Sequence, residues 1–249
     1  DKSIFFKEIE SELLQSDITE DSAAGALLNY LAKLEEVAKL EPCGIEHVEA
    51  DPAKRIGEVD HVVARTAGAH RKYYYRRREG GAWTPWEPIK LDIEDNPVTP
   101  YVWNGRLLLF WLRLLKQPPL EFEKPGLAAG QSLTSLNTTD IKTDATNLTV
   151  QAVLCYSEYY NGKWQPPKTS DPNRPVNVDT SPVGGAEAFD RGQLQLSVVA
   201  GNVKTNKTKK KATTPKDALC LSVDYQGSSR ATFLLYNTHS LPQPAKALP

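Results

Sequence analysis

Apolar positions near the amino terminus are spaced three and four residues apart, which is the period of an amphipathic α-helix. One apolar stripe runs from Ile4 to Leu14 and a second from Leu27 to Ala38. Between them, Asp17 and Glu20 have the spacing of a capping box, which predicts the start of the second helix. We therefore expect a helical hairpin over residues 1–45. Because so small a hairpin cannot bury its own apolar faces, it must dock on the rest of the chain or on further chain.

Beyond this hairpin the pattern changes to short β-rich runs separated by turn residues. The runs are 59–67, 72–79, 86–93, 98–103, 106–115, 149–160, 193–199, 218–224 and 230–236. Asn104-Gly105 is the sharpest predicted turn, because both central residues of a type I′ turn need positive φ. Segments rich in Pro, Gly, Ser and Thr predict long loops near 117–147, 171–190 and 201–216. Residues 46–249 are thus predicted to form a β domain.

Two stretches of the β region read alike. They align in one register, with Tyr75, Gly81 and Trp83 matching Tyr156, Gly162 and Trp164. Each stretch has the pattern of an aromatic strand, a tight glycine turn and a second strand that contains Trp. The repeat favours a mainly β fold, an antiparallel meander or propeller-like sheet array preceded by an α-helical hairpin. A repeated structural hairpin also explains the aromatic residues without a catalytic site.

Composition excludes several classes of function. The 249 residues carry 30 Lys and Arg against 31 Asp and Glu, so no global field favours nucleic acid or an anionic membrane. No apolar run reaches the length of a transmembrane segment. Three widely spaced cysteines, Cys43, Cys155 and Cys220, predict reduced and mostly buried thiols. Because the chain starts at Asp1 and contains no Met, we expect it to be a segment of a longer polypeptide.

Sequence motifs for metal, cofactor or nucleophilic chemistry are missing. The histidines His47, His61, His70 and His239 are isolated and lack the spacing of a metal site. The sequence has no G-x-S-x-G nucleophile elbow and no Gly-rich phosphate loop. We therefore expect neither a metal nor a cofactor.

Several sequence blocks, in order, resemble one known family. They are residues 34–44, 65–66, 72–77, 83–87, 91–94, 102–107 with 110–111, and 156–159 with 162–164. The blocks resemble the neuraminidase-like domain of the A subunit of bacterial Tc (toxin complex) insecticidal toxins. The resemblance is specific over about residues 30 to 165, and such ordered blocks are much harder to obtain by chance than one short motif.

The resemblance implies a sialidase-like fold with a structural role. In such toxins the A subunit is a large pentamer whose shell surrounds a translocation channel. The neuraminidase-like domain closes the far end of the shell and is implicated in its pH-triggered opening. Residues 1–45 would then be the end of an α-helical shell region. The implied partners are other domains of the same toxin chain, neighbouring copies in the homopentamer and, indirectly, the B and C toxin subunits. The expected location is extracellular, as a secreted or released toxin.

The same resemblance leaves open whether this chain contacts a receptor directly. Receptor-binding modules often interrupt this region in family members, and none of that size fits within this chain.

The residues give little support to a sialidase. Such an enzyme needs an arginine cluster for the substrate carboxylate, a Tyr activated by Glu and an Asp acid, braced by Asp-box turns. The consecutive Arg76, Arg77 and Arg78 alternate between the faces of a strand and cannot all converge on one carboxylate. They predict a solvated strand edge with cation–π contacts to Trp or Tyr. Glu158 lies between two tyrosines and is interpreted as an exposed sheet carboxylate rather than an activating base. The sequence contains no complete Asp box.

A glycan- or receptor-binding module with a sialidase-like fold is the alternative function. Aromatic side chains on a sheet offer flat apolar surfaces for sugar rings, and the candidates are Tyr73, Tyr75, Trp83, Trp86, Trp103 and Trp164. Burial in hairpin cores competes with this interpretation, because alternate strand residues point to opposite faces. A host-surface glycan is the partner that this alternative implies.

His61 and His70 are candidates for pH sensing. Histidine changes charge at about pH 6 to 7 in an ordinary environment. Both residues lie in the segment that the resemblance assigns to shell closure.

Overall fold

The computed structural model describes residues 3–15, 17, 19–54, 57–68, 70–117, 147–182, 188–201, 218–236 and 243–244. Within these ranges, two helices precede three antiparallel sheets. The predicted fold class, mainly β with a helical hairpin in front, is therefore confirmed. Most of the predicted loops near 117–147 and 201–216 lies outside the described residues.

The amino-terminal hairpin consists of α1 (Ile4–Gln15) and α2 (Glu20–Ala38). An ion pair joins the two helices, with Lys33 Nζ 2.7 Å from Glu8 Oε2. The α1 residue Phe5 is buried, as the helical period predicts for one member of its apolar stripe.

The start of α2 differs from the sequence prediction. The N–H of Ser22 donates to Thr19 Oγ1 at 3.2 Å, and the N–H of Thr19 donates to Ser22 Oγ at 2.9 Å. This reciprocal pair is the capping box, so the box predicted between Asp17 and Glu20 is wrong by two positions. The shift places Glu20 in the first turn, where the helix dipole favours a negative charge.

The first sheet has five strands. They are β1 (Glu41–Val48), β2 (Val59–Arg65), β3 (Tyr73–Glu79), β4 (Ala82–Trp83) and β5 (Glu87–Ile89). Strands β1, β2 and β3 are neighbours in that order, and both β4 and β5 pair with β3. A 3-10 turn at Pro52–Lys54 lies between β1 and β2.

Strand β1 corrects the predicted end of the hairpin. Helix α2 ends at Ala38, so the last part of segment 1–45 belongs to the sheet. A shift in register between Pro42 and Gly44 lets the strand continue past two residues that normally disfavour it. A Cβ on Gly44 would lie 2.6 Å from Pro100 Cδ, so only glycine permits this approach to the second sheet.

The hairpin covers the outer face of the first sheet. Phe5 is 6% exposed, and its ring centroid lies 6.4 Å from that of Tyr74 on β3. The Glu36 carboxylate accepts hydrogen bonds from the Tyr74 hydroxyl and, at 2.7 Å, from Lys72 Nζ. The hairpin therefore docks on the sheet, one of the two predicted alternatives. Several apolar side chains stay exposed on the helices: Leu14, Leu27, Leu28, Leu31 and Leu34.

The second sheet has six strands. They are β6 (Val98–Trp103), β7 (Arg106–Gln117), β8 (Asn147–Tyr160), β9 (Lys163–Trp164), β10 (Lys168–Thr169) and β11 (Val176–Pro182). Strand β8 pairs with β7 along one edge and with β9, β10 and β11 along the other. The presence of β11 contradicts the predicted loop at 171–190 over Val176–Pro182. Its short Val-Asn-Val alternation lies between Pro- and Gly-rich stretches, which hid it in the sequence.

The third sheet has four strands in chain order. They are β12 (Leu194–Ala200), β13 (Ala218–Tyr225), β14 (Ser228–Tyr236) and β15 (Gln243–Pro244). A 3-10 turn at Arg191–Gln193 leads into β12, and the Asp190 carboxylate caps it by accepting the Gly192 N–H at 2.8 Å.

Four hairpins close with two-residue turns in which both residues have positive φ. The turns are Gly80-Gly81, Asn104-Gly105, Asn161-Gly162 and Gln226-Gly227. This is the geometry of a type I′ turn, whose twist matches that of the flanking strands. The turn predicted at Asn104-Gly105 is confirmed, with φ of 51° and 74°.

The predicted repeat is also confirmed. The first hairpin pairs Glu79 with Ala82, and the second pairs Tyr160 with Lys163. After each turn the chain returns to the same strand, so Tyr75 pairs with Glu87, and its counterpart Tyr156 pairs with Lys168. The likeness therefore extends beyond the turn to a complete strand–turn–strand unit.

The second sheet lies in the middle of the stack and is buried on both faces. Leu108, Phe110 and Leu112 of β7 belong to one apolar cluster shared with the third sheet. Leu107, Leu109 and Trp111, on the opposite face of the same strand, belong to a cluster shared with the first sheet. Because alternate residues point to opposite faces, a strand buried on both sides needs the unbroken apolar run seen here.

We expect Leu109→Ala to lower the free energy of unfolding by about 2–5 kcal/mol, since the side chain is fully buried and its loss leaves a cavity. Urea titration followed by fluorescence measures the loss. Leu28→Ala is the matched control, because Leu28 is 66% exposed on a helix, and its effect should stay within about 0.5 kcal/mol. A loss below about 1 kcal/mol for Leu109→Ala would contradict the central position of this sheet.

Candidate functional site

An aromatic cluster fills the space between the first and second sheets. The ring of Tyr75 lies 5.1 Å from that of Tyr159 and 5.5 Å from that of Trp164, and the latter two are 5.1 Å apart. Both tyrosine hydroxyls are paired: that of Tyr75 and His61 Nδ1 are hydrogen-bonded at 2.8 Å, and that of Tyr159 donates to Glu87 Oε2 at 2.7 Å. Trp164 Nε1 is buried and has no hydrogen-bond partner among the described residues. The cluster joins Tyr75 of the first repeated hairpin to Tyr159 and Trp164 of the second, and it acts as core.

This cluster removes several candidates for sugar stacking. Tyr73, Tyr75 and Trp103 are 3%, 2% and 6% exposed, so their rings offer no surface to a glycan. Trp164 is half-buried between Tyr75 and Tyr159. For the three buried residues the structure supports the competing interpretation, burial in the core, because each faces a neighbouring sheet.

Trp83 and Trp86 remain accessible and enclose an arginine. The Arg76 guanidinium carbon lies 4.2 Å from the ring centroid of Trp83 and 4.3 Å from that of Trp86. Trp83 is 45% exposed. We call these three residues the Trp–Arg surface. The predicted cation–π contacts are confirmed for Arg76. The predicted strand edge is wrong, because β3 pairs with β2 on one side and with β4 and β5 on the other.

The two histidines proposed as pH sensors occupy different environments. His61 is 8% exposed, and burial lowers its pKa to about 4, with the nearby Arg77 acting in the same direction. Asp60 and Glu79 oppose this shift, and Glu46 is its cross-strand neighbour on β1. His61 is therefore neutral near pH 6 to 7, contrary to the expected charge change.

The second histidine, His70, lies exposed at the bend between β2 and β3. Its backbone carbonyl accepts a hydrogen bond from the Thr66 hydroxyl at 3.5 Å. The structure does not bring His70 into the cluster that contains His61.

A charged cleft opens where the three sheets meet. Its volume is about 600 Å³, and its polar wall is formed by Arg65, Arg71, Asp95, Asn96, Asp190 and Arg191. Asp95 Oδ1 accepts a hydrogen bond from Arg65 Nη1 and lies 3.0 Å from Arg71 Nε. Two guanidinium groups thus converge on one carboxylate and Arg191 lines the same cleft, whereas the sequence pointed only to the consecutive Arg76–Arg78. Arg65 occurs in a block that carries the resemblance, but spacing along the chain gives no sign of this convergence.

Arg191 ties the third sheet to the second. Its Nε donates to the Asn96 carbonyl at 2.7 Å, and Nη2 donates to the carbonyls of Asp95 and Leu112 at 3.1 and 3.2 Å. Its Nη1 donates to Glu94 Oε2 at 3.2 Å. The guanidinium is therefore committed to holding segment 94–96 and β7 beside the start of β12.

The tyrosines near acidic or basic groups are not activated as nucleophiles. Burial raises the pKa of Tyr73, beside the cleft, to about 12. Burial and the hydrogen bond to Glu87 likewise raise the pKa of Tyr159 to about 12. Glu158 does not contact a tyrosine hydroxyl as an activating base would, and its carboxylate lies 3.5 Å from Arg106 Nη1. The tyrosinate that a sialidase-type attack requires is disfavoured at both positions.

The cysteines are free and at least half-buried, as predicted. Burial raises the pKa of Cys43, on the cleft wall, to about 12 and that of Cys155 to about 11. Both thiols are therefore protonated at neutral pH and poor nucleophiles.

One group of side chains has the chemistry of metal ligands. Ligand atoms of His47, Glu58 and Asp60 lie within 4.8 Å of one another, with His47 Nδ1 2.7 Å from Asp60 Oδ1. Arg78 Nη1 lies 3.7 Å from Asp60 Oδ2. A guanidinium at this distance disfavours a divalent cation, and the arrangement is an exposed ion-pair network.

Comparison with known proteins identifies the family. Residues 40–227 match the neuraminidase-like domain. The chain belongs to this family. The start of the match agrees with the start of β1 at Glu41.

Two relatives of the neuraminidase-like domain are toxin components by name or by structure. The toxin subunit YenA2 of Yersinia entomophaga is 26% identical over 150 residues, which cover 54% of this chain and 11% of YenA2. The cryo-EM structure of Morganella morganii TcdA4 has a TM-score of 0.57 at 16% identity, covering 100% of this chain and 9% of TcdA4. These matches confirm the resemblance to Tc toxin A subunits that the sequence blocks indicated.

A third comparison, with Yersinia pseudotuberculosis TcaA-TcaB, gives a TM-score of 0.42 at 17% identity over 76% of this chain and 9% of that one. The neuraminidase-like domain thus spans about a tenth of the length of these proteins. Neither helix of its described part is long and apolar enough to cross a membrane.

We expect His61 to make the neuraminidase-like domain less stable in acid. Its folded-state pKa of about 4 lies below the ordinary value of 6.5, so only the unfolded chain takes up the proton in between. Stability should fall by roughly 3 kcal/mol as pH drops from about 6.5 to about 4. Urea unfolding across this range should show a smaller loss for His61→Gln. His70→Gln, which alters an exposed histidine outside this cluster, is measured in parallel. Equal slopes for the wild type and His61→Gln would refute this assignment.

Proposed function

We propose that this domain is a non-catalytic structural and gating part of a Tc-like toxin A subunit. It closes the shell around a translocation channel and supports pH-triggered opening and toxin delivery. The observation that carries this proposal is the use of sialidase-type side chains as internal contacts. Arg65 and Arg71 face Asp95, Arg191 holds backbone carbonyls, and the Tyr159 hydroxyl is bound to Glu87. Membership of the neuraminidase-like family gives independent support.

The architecture suits a rigid structural element between neighbouring domains. Three sheets pack face to face, and a helical hairpin covers the outer face of the first sheet. The exposed leucines of the hairpin, among them Leu14 at 79% and Leu28 at 66%, provide apolar area for other domains of the toxin chain or neighbouring copies in a homopentamer. The B and C subunits are indirect partners, and the assembly acts outside the bacterium.

Toxin assembly tests the structural role. In the full-length subunit, we expect Leu109→Ala to reduce the yield of assembled oligomer in size-exclusion chromatography and electron microscopy, since it weakens the packing between the first and second sheets. Val199→Ala, at a position on β12 that is 60% exposed and lies outside the helical hairpin, is the control and should assemble normally. Normal assembly and toxin delivery by a subunit that lacks residues 40–227 would contradict the proposal.

A fluorogenic sialoside assay tests the absence of catalysis. We expect no turnover above the uncatalysed rate. Turnover that is lost in both Tyr159→Phe and Arg71→Gln, with the fold retained, would establish a hydrolase instead.

The proposed pH response depends on the two histidines, His61 and His70. Protonation of His61 would place a positive charge in its buried site beside Tyr75, so acid weakens the region between the first two sheets. His61→Gln should shift the pH threshold of shell opening to more acidic values. His70→Gln tests whether the exposed histidine at the bend between β2 and β3 contributes to this threshold. An unchanged threshold in the double variant would remove both residues from the trigger.

A second candidate function, glycan or receptor binding, is favoured by the Trp–Arg surface alone. Trp83 is 45% exposed, and Arg76 holds both indoles in place. If this surface binds host glycans, array binding by the chain should fall in Trp83→Ala but not in Tyr160→Ala, which removes an aromatic ring that is 60% exposed at the other hairpin. Array binding that resists Trp83→Ala would exclude this surface.

A further inference from the structure

The outer face of helix α2 carries an apolar seam with the spacing of a coiled coil. Its positions recur at alternating intervals of three and four residues, as the a and d positions of a heptad do. All five residues of the seam are exposed: Ala24, Leu27, Leu31, Leu34 and Ala38. The three leucines are 50%, 49% and 36% exposed, and Leu28 beside them is 66% exposed. Such a seam is typical of a helix that packs against another helix.

The opposite face of α2 packs against α1. Ala26 is 1% exposed, and the ring of Tyr30 lies edge to face against that of Phe6 on α1, with centroids 6.3 Å apart. Lys33, on the same side of the helix, forms the ion pair with Glu8. The seam therefore points away from α1 and stays open to solvent within the described part of the chain.

The helical hairpin is acidic, and acidic residues flank the seam. Residues 1–45 contain ten Asp and Glu against four Lys and Arg, whereas the rest of the chain contains 21 against 26. In the heptad of α2, Asp21 and Glu35 occupy the e positions before and after Leu28. Glu35 pairs with Lys39 at 2.6 Å, but both side chains are largely exposed, so the pair contributes little and exchanges readily. A partner with basic residues beside its own apolar stripe fits this flank.

The acidic flank disfavours two other occupants. Antiparallel pairing of α2 with the same helix of a second copy would place Leu27 opposite Leu31. The same register would bring Glu35 beside Asp21 of that copy, where like charges repel. An anionic lipid surface attracts helix faces that are flanked by Lys and Arg, which is the reverse of the flank on α2. The charges therefore favour a basic helix.

The length of the seam favours a helix that belongs to the same polypeptide. From Ala24 to Ala38 the seam extends about 21 Å, at about 1.5 Å per residue. An interface of two heptads is smaller than those that hold separate molecules together stably. A helix in the same chain has a high effective concentration at the seam, so a short contact is sufficient.

We propose that a basic amphipathic helix from another domain of the same toxin chain covers the α2 seam. Its apolar residues pack against Leu27, Leu31 and Leu34. Its Lys or Arg side chains pair with Asp21 and Glu35. This inference rests on the structural role proposed above and gives the chemistry of one partner of the hairpin.

Site-specific photo-crosslinking in the full-length subunit tests the proposal. The photoreactive residue benzoylphenylalanine replaces Leu31, and mass spectrometry identifies the crosslinked peptides. Assemblies that mix unlabelled and isotope-labelled subunits separate crosslinks within a chain from crosslinks between copies. We expect a crosslink within the chain, to a helix outside residues 1–249 that has Lys or Arg beside its apolar stripe. The same photoreactive residue at Asn29, exposed on the side of α2 away from the seam, is the control and should not reach that helix.

Three results of this experiment would overturn the proposal: a crosslink between copies, a crosslink to an acidic or extended segment, and no crosslink at all. The outcome is separate from that of the structural role. If deletion of residues 40–227 abolishes assembly but the crosslink fails, this inference alone is wrong and the structural role stands.

A matched pair of charge reversals tests the acidic flank. In the full-length subunit, Glu35→Lys should lower the yield of the crosslink from position 31 by about fivefold, because it places like charges across the interface. Glu79→Lys makes the same change of charge at an exposed position on β3 and should leave the yield unchanged. Equal yields from the two variants would contradict a basic partner.

Hydrogen–deuterium exchange gives a readout that does not depend on the folding of a variant. Backbone amides of α2 (Glu20–Ala38) should exchange roughly tenfold more slowly in the wild-type full-length subunit than in the 249-residue chain, because a covering helix suppresses local opening. Equal exchange rates in the two proteins would show that the seam is open in both and would overturn the proposal.

Discussion

The packing of the central sheet constrains the rest of the molecule, because strands β7 and β8 are buried on both faces. Every residue is buried from Leu107 to Leu112 and from Ala152 to Ser157. Such strands have no stable existence without a layer on each side, so the first and third sheets are obligatory partners rather than additions. The aromatic cluster, the Arg191 contacts and the cleft all lie at the boundaries that this burial creates.

The sequence predicted the features that depend on residues adjacent in the chain, such as turns and strand limits. The type I′ turn at Asn104-Gly105 follows from the tolerance of Asn and Gly for positive φ. Most strand limits fell within a few residues, since β-branched and aromatic runs end at turn residues. The same reasoning missed β1, where Pro42 and Gly44 argue against a strand and only the packing against Pro100 explains it. It also missed β11 and displaced the cap of α2.

The side chains with functional chemistry were harder to predict, because their roles depend on contacts between sheets. Tyr75 and Trp103 were candidates for sugar stacking, with burial in the core as the competing interpretation, and the structure covers each with a neighbouring layer. His61 was expected to respond near neutral pH, but the same burial keeps it uncharged. Arg71 and Arg191 are far apart in sequence and line the same cleft because the start of β12 is held against segment 94–96. Family resemblance indicated the fold and the class of protein, but not this cleft.

The short junction between α2 and β1 couples the helical hairpin mechanically to the sheets. Only Lys39 and Leu40 separate the end of α2 from the start of β1, so there is no slack between them. Strand β1 in turn lies against β6, where the Glu46 carboxylate accepts the Val102 N–H at 3.2 Å. A force on the helical hairpin is therefore transmitted through β1 to β6, at the edge of the central sheet.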